Sequence, residues 1–272
     1  MPGAWAVRWR NSVSVSASWP MMRLPSRFVH FGGRNIRLVP HLGEFDSDAL
    51  WFRNLPYEVG VASWVGQQVA DDYDVVVEIG ANIGVYTCLF GLLASGQSRL
   101  KRVYAFEPSH KAFRRLKRNL DINSLTSVSA FQVAVGRESG FVDFFQPEDH
   151  LTNGSLDKGF ASYFSNRVGV STVVAVGANE LANLLVPGER VLVKIDVEGF
   201  EAELLQALCP LVDKYNCDLI VEVLLETEAG IANWASENRY SASLLDGRVN
   251  LSPSTLIANS AHRDWLLQRT QK

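Results

Sequence analysis

The chain has 272 residues, of which 47% are hydrophobic and 20% charged, and its formal net charge is -3. This length and composition are typical of one large globular α/β domain and leave little room for extensive disorder. The acidic balance argues against a protein whose main task is to bind nucleic-acid phosphates, because that task needs a surplus of Lys and Arg. We therefore expect no nucleic-acid partner.

The three cysteines, Cys88, Cys209 and Cys217, are an odd number without paired metal-ligand spacing. A disulfide framework or a zinc site is therefore not expected, and a reducing compartment fits best. The sequence contains no apolar run of the roughly 18 residues that a membrane-spanning helix needs. These features predict a soluble, cytoplasmic protein with no membrane span.

The amino terminus is unusually poor in acidic residues, since the first one is Glu44. Several arginines precede it: Arg8, Arg10, Arg23, Arg27, Arg34 and Arg37. Such a composition resembles an organelle transit peptide, but residues 13–16 alternate like a strand, and Met21 or Met22 would also serve as a start. We favour a strand-like extension or a misassigned start, and we predict that residues 1–55 form an amino-terminal extension or cap.

The predicted elements then alternate between strands and helices. In chain order, we expect β pieces in 28–39, a helix over 59–69, a strand at 75–77, a helix over 84–93, a strand at 103–106 and a helix over 111–120. Further elements are a strand over 128–135 with 142–145 paired beside it as a hairpin, a helix over 178–185, strands at 191–195 and 219–224 flanking a helix over 201–211, and a final helix and hairpin within 229–267. This alternation predicts an α/β fold with a mostly parallel sheet.

A segment rich in Gly, Ser and Asn covers residues 149–170. A structureless loop of this length inside a compact domain is usually functional or mobile, so we predict that it acts as a lid. His150 and Asn153 lie in it and would supply a base or a hydrogen bond to a bound acceptor. A loop histidine is more often simply solvated, and that alternative stays open.

The strongest motif is a β-branched strand that ends in an acid, Glu78, and is followed by Gly80 and Gly84 before a helix. The glycines allow a sharp turn and a close approach to a ligand, and the helix presents unpaired amide groups. The motif lacks the full G-x-G-x-x-G spacing, which argues against a nicotinamide dinucleotide. A ligand without a pyrophosphate, such as S-adenosylmethionine, needs fewer glycines, and Glu78 suits its amino group.

A second acid, Glu107, ends the next strand and lies 23 residues after Gly84. This is near the spacing of about 20 at which an acid reaches the ribose hydroxyls in this architecture. Glu107 would also serve as a cap for the helix that follows Pro108, and the two roles are compatible.

The ordered motifs EIGANIGVYT, YAFEPSHKAFRRLKRNL, FQVAVGRESG and VKIDVEGFEAELLQAL resemble the FkbM family of class I methyltransferases. The resemblance covers roughly residues 55–225. It implies a Rossmann-like, mostly parallel seven-stranded sheet with helices on both faces, with S-adenosylmethionine as the methyl donor. It also implies an oxygen acceptor, often a sugar or polyketide hydroxyl.

Carried over by position, the resemblance implies that Gly80, Asn82 and Gly84 line the cofactor loop and that Glu107, with Pro108 beside it, reaches the ribose. The stretch around Ala134, residues 133–135, would approach the adenine. The sequence departs from the family at Glu78, where Asp is common, and at both termini, which carry no diagnostic motif.

A last cluster, which includes Lys194 and Asp196, follows a later predicted strand. Ligands of open α/β sheets bind beside the carboxyl ends of strands, so Asp196 should face the same crevice as Glu78 and Glu107. Asp196 would orient or deprotonate the acceptor, with Lys194 offsetting the developing charge. In the simpler alternative Lys194 pairs with a neighbouring acid, and Glu198 and Glu201 stabilise a helix terminus.

Asp196 together with Glu222 would also be able to hold Mg2+, but we predict no metal. The sequence thus predicts an S-adenosylmethionine-dependent O-methyltransferase domain over residues 56–272 that acts on a hydroxyl of a sugar, glycan or secondary metabolite. The alternatives are an RNA methyltransferase, a nicotinamide-dependent oxidoreductase and a non-catalytic cofactor-binding module.

Overall fold

The computed structural model describes residues 25–40, 58–148, 153–248, 251–259 and 261–270. His150, most of the acid-poor leader and the domain boundary predicted at residue 55 lie outside the described residues. The strands are β1 Arg27–Phe31, β2 Arg34–Leu38, β3 Val75–Ile79, β4 Arg102–Phe106, β5 Val128–Phe131, β6 Ala134–Gly136, β7 Gly140–Pro147, β8 Val168–Gly177, β9 Arg190–Ile195, β10 Asn216–Glu222, β11 Tyr240–Leu244 and β12 Asp264–Arg269.

Six helices are labelled here: α1 Val59–Trp64, α2 Val85–Ala94, α3 His110–Asn123, α4 Lys158–Phe164, α5 Glu201–Lys214 and α6 Glu228–Glu237. Helix α1 continues through a π-helical turn, Val65–Val69, into a last turn at Ala70–Asp72, and a 3₁₀ helix covers Ala178–Leu184. No helix within the described ranges is both long enough and apolar enough to cross a membrane.

The main sheet has seven strands in the order β11-β12-β10-β9-β3-β4-β5. All neighbours are parallel except β12, which runs antiparallel to both β10 and β11. One core cluster packs α1, α2 and α3 on one face, and a second packs α5, α6 and the 3₁₀ helix on the other. The predicted Rossmann-like α/β class with helices on both faces is confirmed.

Strand β3 lies at the centre of this sheet, and all five of its residues are buried. It reads Val-Val-Val-Glu-Ile, and such a run of apolar side chains suits a parallel strand that is covered on both faces. The chain continues from β3 to β4 on one side and later returns to β9 on the other side. Ligands of open α/β sheets bind at such a reversal of strand order, so β3, β4 and β9 together predict the position of the site.

The amino-terminal hairpin β1–β2 is part of the main core. Its inward side chains are nearly inaccessible, namely Val29, Phe31, Ile36 and Leu38. Asn119 of α3 also bridges it to the loop after β3, because its Oδ1 accepts from the Val39 amide at 3.0 Å and its Nδ2 donates to the Ile83 carbonyl at 2.9 Å. The β pieces predicted in 28–39 are therefore confirmed.

A small three-stranded sheet, in the order β6-β8-β7, lies outside the main sheet. The prediction that 142–145 pairs beside one strand over 128–135 is wrong. That stretch splits, since β5 joins the main sheet while β6 pairs with β8, and β7 pairs antiparallel with β8 along its whole length. The partner strand lies far along the chain, so local sequence patterns could not reveal it.

The prediction of a structureless loop over 149–170 is also wrong in its extent. Within it lies helix α4, and β8 already begins at Val168. Asp157 starts α4, because its side chain accepts hydrogen bonds from the amides of Gly159 and Phe160. The segment 153–156 is tied to β7 by paired backbone hydrogen bonds of 2.9 Å between Ser155 and Phe145.

Candidate active site

A cleft opens at the carboxyl ends of the central strands, between the main sheet and the small sheet. The predicted residues that line it are Glu78, Gly80, Asn82, Glu107, Pro108, Ala134, Lys194 and Asp196. Gly84 does not line it, and begins α2 just behind the cleft. The fold thus brings together side chains from three strand ends, the first and last of which are more than a hundred residues apart in the chain.

Gly80 makes the closest contact between the loops after β3 and β9. Its φ is +89°, and a Cβ built on it would lie 1.7 Å from the Asp196 carbonyl oxygen. Its amide donates to the Phe106 carbonyl at 3.0 Å, and the Asp196 amide donates to the Ile79 carbonyl at the same distance. Only glycine fits this position, because both the backbone conformation and the space exclude a side chain.

The position of Gly84 also favours glycine, but the space around it is less restricted than at Gly80. Its φ is +84°, and a Cβ there would lie 3.0 Å from Cγ of Leu116 on α3. This close packing lets α2 begin directly beneath the cleft, with its first amides directed toward the loop.

Glu107 holds the two loops that follow β3 and β4. Its carboxylate accepts from the Asn82 amide and from the Ser109 amide, each at 2.7 Å. Burial raises the pKa of Glu107 to about 7, although both amides favour its charged form. The cap of α3 is Ser109, whose Oγ accepts from the Ala112 amide, so the alternative that Glu107 itself caps that helix is wrong.

Glu78 lies at the bottom of the cleft and is almost inaccessible. Thr87, in the first turns of α2, donates its hydroxyl to Glu78 Oε2 at 2.7 Å. Burial raises the pKa of Glu78 to about 7, and the nearby Lys194 charge acts in the opposite direction. A partly protonated acid at the end of β3 is the result.

Lys194 and Asp196 form an ion pair at the end of β9. Lys194 Nζ lies 2.8 Å from Asp196 Oδ2, and the exposed fractions of the two side chains are 2% and 21%. The ammonium also lies 4.6 Å from the ring centroid of Tyr86. Burial opposes the charge of Lys194, but surrounding carboxylates, Asp196 foremost, raise its pKa above the ordinary value. Lys194 is therefore a permanent buried cation whose nearest partner is Asp196.

Two further acids follow on the β9–α5 loop. Glu201 is fully buried, and its carboxylate accepts from the amides of Val197 and Gly199, which confirms its structural role at the helix start. Glu198 has φ +56° and lines the cleft, where Asn153 donates to its Oε2 at 3.2 Å. Burial, followed by the charges of Asp196 and Glu201, raises the pKa of Glu198 to about 8.

Glu222 and Asp264 extend this acidic region on the same side of the main sheet, beyond the end of β9. They are Cα partners on the neighbouring strands β10 and β12. Burial raises the pKa of Glu222 to about 10, and Arg263 is paired with it at 3.3 Å. Across the described ranges, no group of three or more His, Cys, Asp or Glu side chains lies close enough to hold a metal ion.

Several cleft residues were not predicted from the sequence. Tyr86, Phe144 and Phe200 line it, and Thr87 and Ser109 hold its acids. The position of Tyr86 and Thr87 directly after the glycine turn was the available signal, since the first turn of that helix has to face the ligand. Phe144 gave no signal, because its strand joins a sheet that sequence patterns did not reveal.

Comparisons with known proteins agree with this architecture. A family model described as the methyltransferase FkbM domain matches residues 78–242. Hexuronic acid methyltransferase AglP of Haloferax volcanii is 26% identical over 185 residues, which are 68% of this chain and 68% of AglP. Methyltransferase 1 of Beauveria bassiana is 28% identical over 169 residues, which are 57% of this chain and 65% of the fungal protein.

Among solved structures, methyltransferase FkbM from Methylobacillus flagellatus KT aligns with a TM-score of 0.46 and 16% identity. That alignment covers 74% of this chain and 45% of the bacterial chain. The matched family model spans more than half of the sequence and contains the ends of β3, β4 and β9. The chain belongs to the FkbM family of methyltransferases and is a methyltransferase enzyme.

Proposed function

We propose that this enzyme transfers the methyl group of S-adenosylmethionine to a hydroxyl oxygen of a sugar, glycan or secondary metabolite. The observation that carries the proposal is the convergence of Glu78, Glu107 and Asp196 from three adjacent strand ends in one cleft. Bound S-adenosylmethionine would supply a methyl group already activated on a sulfonium, so positioning contributes much of the acceleration.

The cleft residues fit this cofactor. Gly80 lets the loop after β3 lie directly against the Asp196 backbone, and Asn82 Oδ1 is a buried acceptor with no hydrogen-bond partner within the described part of the chain. Each Glu107 oxygen accepts one amide and keeps further lone pairs for ribose hydroxyls. Apolar residues from 133–135 and Phe106 border the region beyond Glu107, as an adenine ring requires.

Asp196 is the residue we assign to the acceptor. It is more exposed than Glu78 or Glu107, and its ion pair with Lys194 fixes its orientation. Asp196 would accept a hydrogen bond from the acceptor hydroxyl and take its proton as the new bond to oxygen forms. Lys194 would act through Asp196 as a positioning residue, since its ammonium is buried against Tyr86.

A sugar acceptor is supported by the relative whose name specifies hexuronic acid. That name supports the class of acceptor and does not fix the charge of the sugar. Membership of a methyltransferase family argues against the nicotinamide-dependent oxidoreductase and against a non-catalytic module.

The first experiment is a calorimetric titration of the protein with S-adenosylhomocysteine, repeated on Glu107→Ala and Glu107→Gln. We expect micromolar binding to the wild type, a loss of about 100-fold or more in the alanine variant and a smaller loss in the glutamine variant, which keeps one acceptor. Well-folded wild-type protein that does not bind would disprove the cofactor assignment. Equal affinity in all three proteins would disprove the role of Glu107.

A further inference from the structure

Acidic side chains in the cleft outnumber basic ones among the described lining residues. The described lining residues include the four carboxylates Glu78, Glu107, Asp196 and Glu198, against a single cation, Lys194. They include no arginine and no histidine. The lining therefore favours a positively charged ligand such as the sulfonium cofactor and opposes an anion.

The single cation is not available to an incoming anion. Lys194 is 1% exposed, and its ammonium is 2.8 Å from Asp196 while it lies against the Tyr86 ring. An anionic group could reach it only by displacing Asp196, which would leave that carboxylate without its partner. Removing one member of such a buried pair is strongly unfavourable.

The carboxylates divide between the two halves of the cleft. Glu78 and Glu107 follow β3 and β4, where the cofactor is proposed to bind, whereas Asp196 and Glu198 follow β9. The contact to Glu198 comes from the Asn153 amide, and no described cation lies within ion-pair distance of it. Among the residues that the structure describes, the end of the cleft that would receive the acceptor thus contains two acids and no accessible positive charge.

The protonation behaviour of Glu198 is consistent with this imbalance. Burial raises its pKa to about 8, and the neighbouring charges of Asp196 and Glu201 add to the effect. Burial is the larger cause of this shift, and the negative charges of Asp196 and Glu201 are the part that an incoming anion would also meet. A second anion placed beside Glu198 would meet the same repulsion.

We infer that the acceptor carries no negative charge near the methylated hydroxyl, so that the enzyme takes uncharged sugars and discriminates against uronates and sugar phosphates. This inference rests on the proposed function and deepens it. Like charges brought together in a partly desolvated site exclude a ligand more effectively than they would in water. The acids after β9 are therefore elements of specificity as well as of catalysis.

The test compares methyl glucuronide with its carboxamide, which has the same ring and hydroxyls but no charge. Dissociation constants are measured by calorimetry on the complex with S-adenosylhomocysteine, so that the readout does not depend on turnover. We expect the amide to bind about tenfold more tightly than the acid, and the difference to shrink as salt is added.

Above pH 8, where the wild-type carboxyl is ionised, Glu198→Gln removes one charge and keeps an oxygen for Asn153 to contact. It should reduce the preference for the amide by about threefold or more, whereas Glu237→Gln, on the exposed end of α6, should leave the preference unchanged. An unchanged preference in Glu198→Gln would show that Glu198 does not contribute to the discrimination against the charged sugar.

The outcomes separate the inference from the function on which it rests. Binding of the acid as tightly as the amide, or more tightly, would overturn the inference and leave the proposed function intact. If S-adenosylhomocysteine binds and neither sugar does, the sugar acceptor is wrong, and the inference falls with it.

Discussion

Asp196 differs from the other acids of the cleft in its exposure and in its partner. Its side chain is 21% exposed and is paired with Lys194, whereas Glu78 and Glu107 are almost inaccessible and are held by a hydroxyl or by amides. A group that contacts the acceptor has to be reachable and fixed in orientation. Asp196 meets both conditions.

We predict that Asp196→Asn lowers kcat by about 100- to 10,000-fold, because asparagine cannot take the hydroxyl proton. Affinity for S-adenosylhomocysteine should change little, since the cofactor residues lie on β3 and β4. The measurement is steady-state methyl transfer together with a calorimetric titration of the same variant.

The matched control for that variant is Asp213→Asn at the exposed end of α5, where the aspartate pairs with Arg269. It should retain the wild-type rate. If Asp196→Asn is fully active with normal cofactor affinity, the role assigned to Asp196 is wrong.

At the scale of elements, the site depends on how closely the loops after β3 and β9 approach each other. The Asp196 carbonyl occupies the space in which a side chain at Gly80 would lie, and the Asp196 amide is bonded to Ile79. One contact therefore positions both the loop that we propose for the cofactor and the acid that we assign to the acceptor.

Gly80→Ala should separate these loops. We expect a loss of about 3 kcal/mol or more in the free energy of unfolding, from the clash and the positive φ together, and a fall of at least about tenfold in affinity for S-adenosylhomocysteine. Chemical denaturation and calorimetric titration measure the two effects.

Gly188→Ala is the matched control, because its φ is +93° and nothing lies within 4 Å of an added Cβ. It should lose only about 1 kcal/mol and bind the ligand normally. Equal effects of the two substitutions would show that backbone strain alone, and not the contact with Asp196, accounts for the loss.

The elements that the sequence revealed are those whose pattern is local. Strands β3, β4, β9 and β10 contain short apolar runs between turn signals, so their position at the core could be predicted. The pairing of β7 with β8 could not, because about 20 residues separate the strands and no local pattern shows which strand is the partner of which. Helix α4 was hidden by Gly and Ser, although Asp157 was a usable start signal.

The same distinction applies to the site. Glu78, Glu107 and Asp196 each follow a predictable strand, and the rule for strand ends was enough to place them in one cleft. The proximity of Asp264 to Lys194 depends on the antiparallel β12, which joins the sheet from the end of the chain. No local pattern indicates that strand order.

At the scale of the whole molecule, the buried acids should make stability depend on pH. Glu78, Glu107 and Glu201 each have a pKa raised by burial from 4.5 to about 7. In the unfolded chain these groups lose their protons near 4.5, so between that pH and about 7 the folded state binds more protons. Their contribution is therefore fully present below the lower value and is lost as the pH rises through the higher one.

We expect the free energy of unfolding to be lower at pH 8 than at pH 5, measured by urea denaturation at constant ionic strength. Asp74 and Asp246 act in the opposite sense, but their pKa is lowered from 3.8, so their titration falls outside this range. Glu78→Gln, which removes one of the titrating groups, should reduce the difference. A stability that is constant or higher at pH 8 would contradict the assignment of these acids as buried and destabilised.

The two ends of the excursion between β7 and β8 lie side by side, since Pro147 is the Cα partner of Val168 and the Glu148 amide donates to the Arg167 carbonyl at 3.0 Å. The chain from 148 to 167 thus leaves and re-enters the small sheet at a single rung. Within that excursion the chain is fixed again at Ser155, whose backbone pairs with Phe145, and at Phe160, which lies against Gly199. A change in the length or composition of this segment would therefore act on β7 and on the loop after β9 together, while the strand order of the main sheet, to which neither β7 nor β8 belongs, would stay the same.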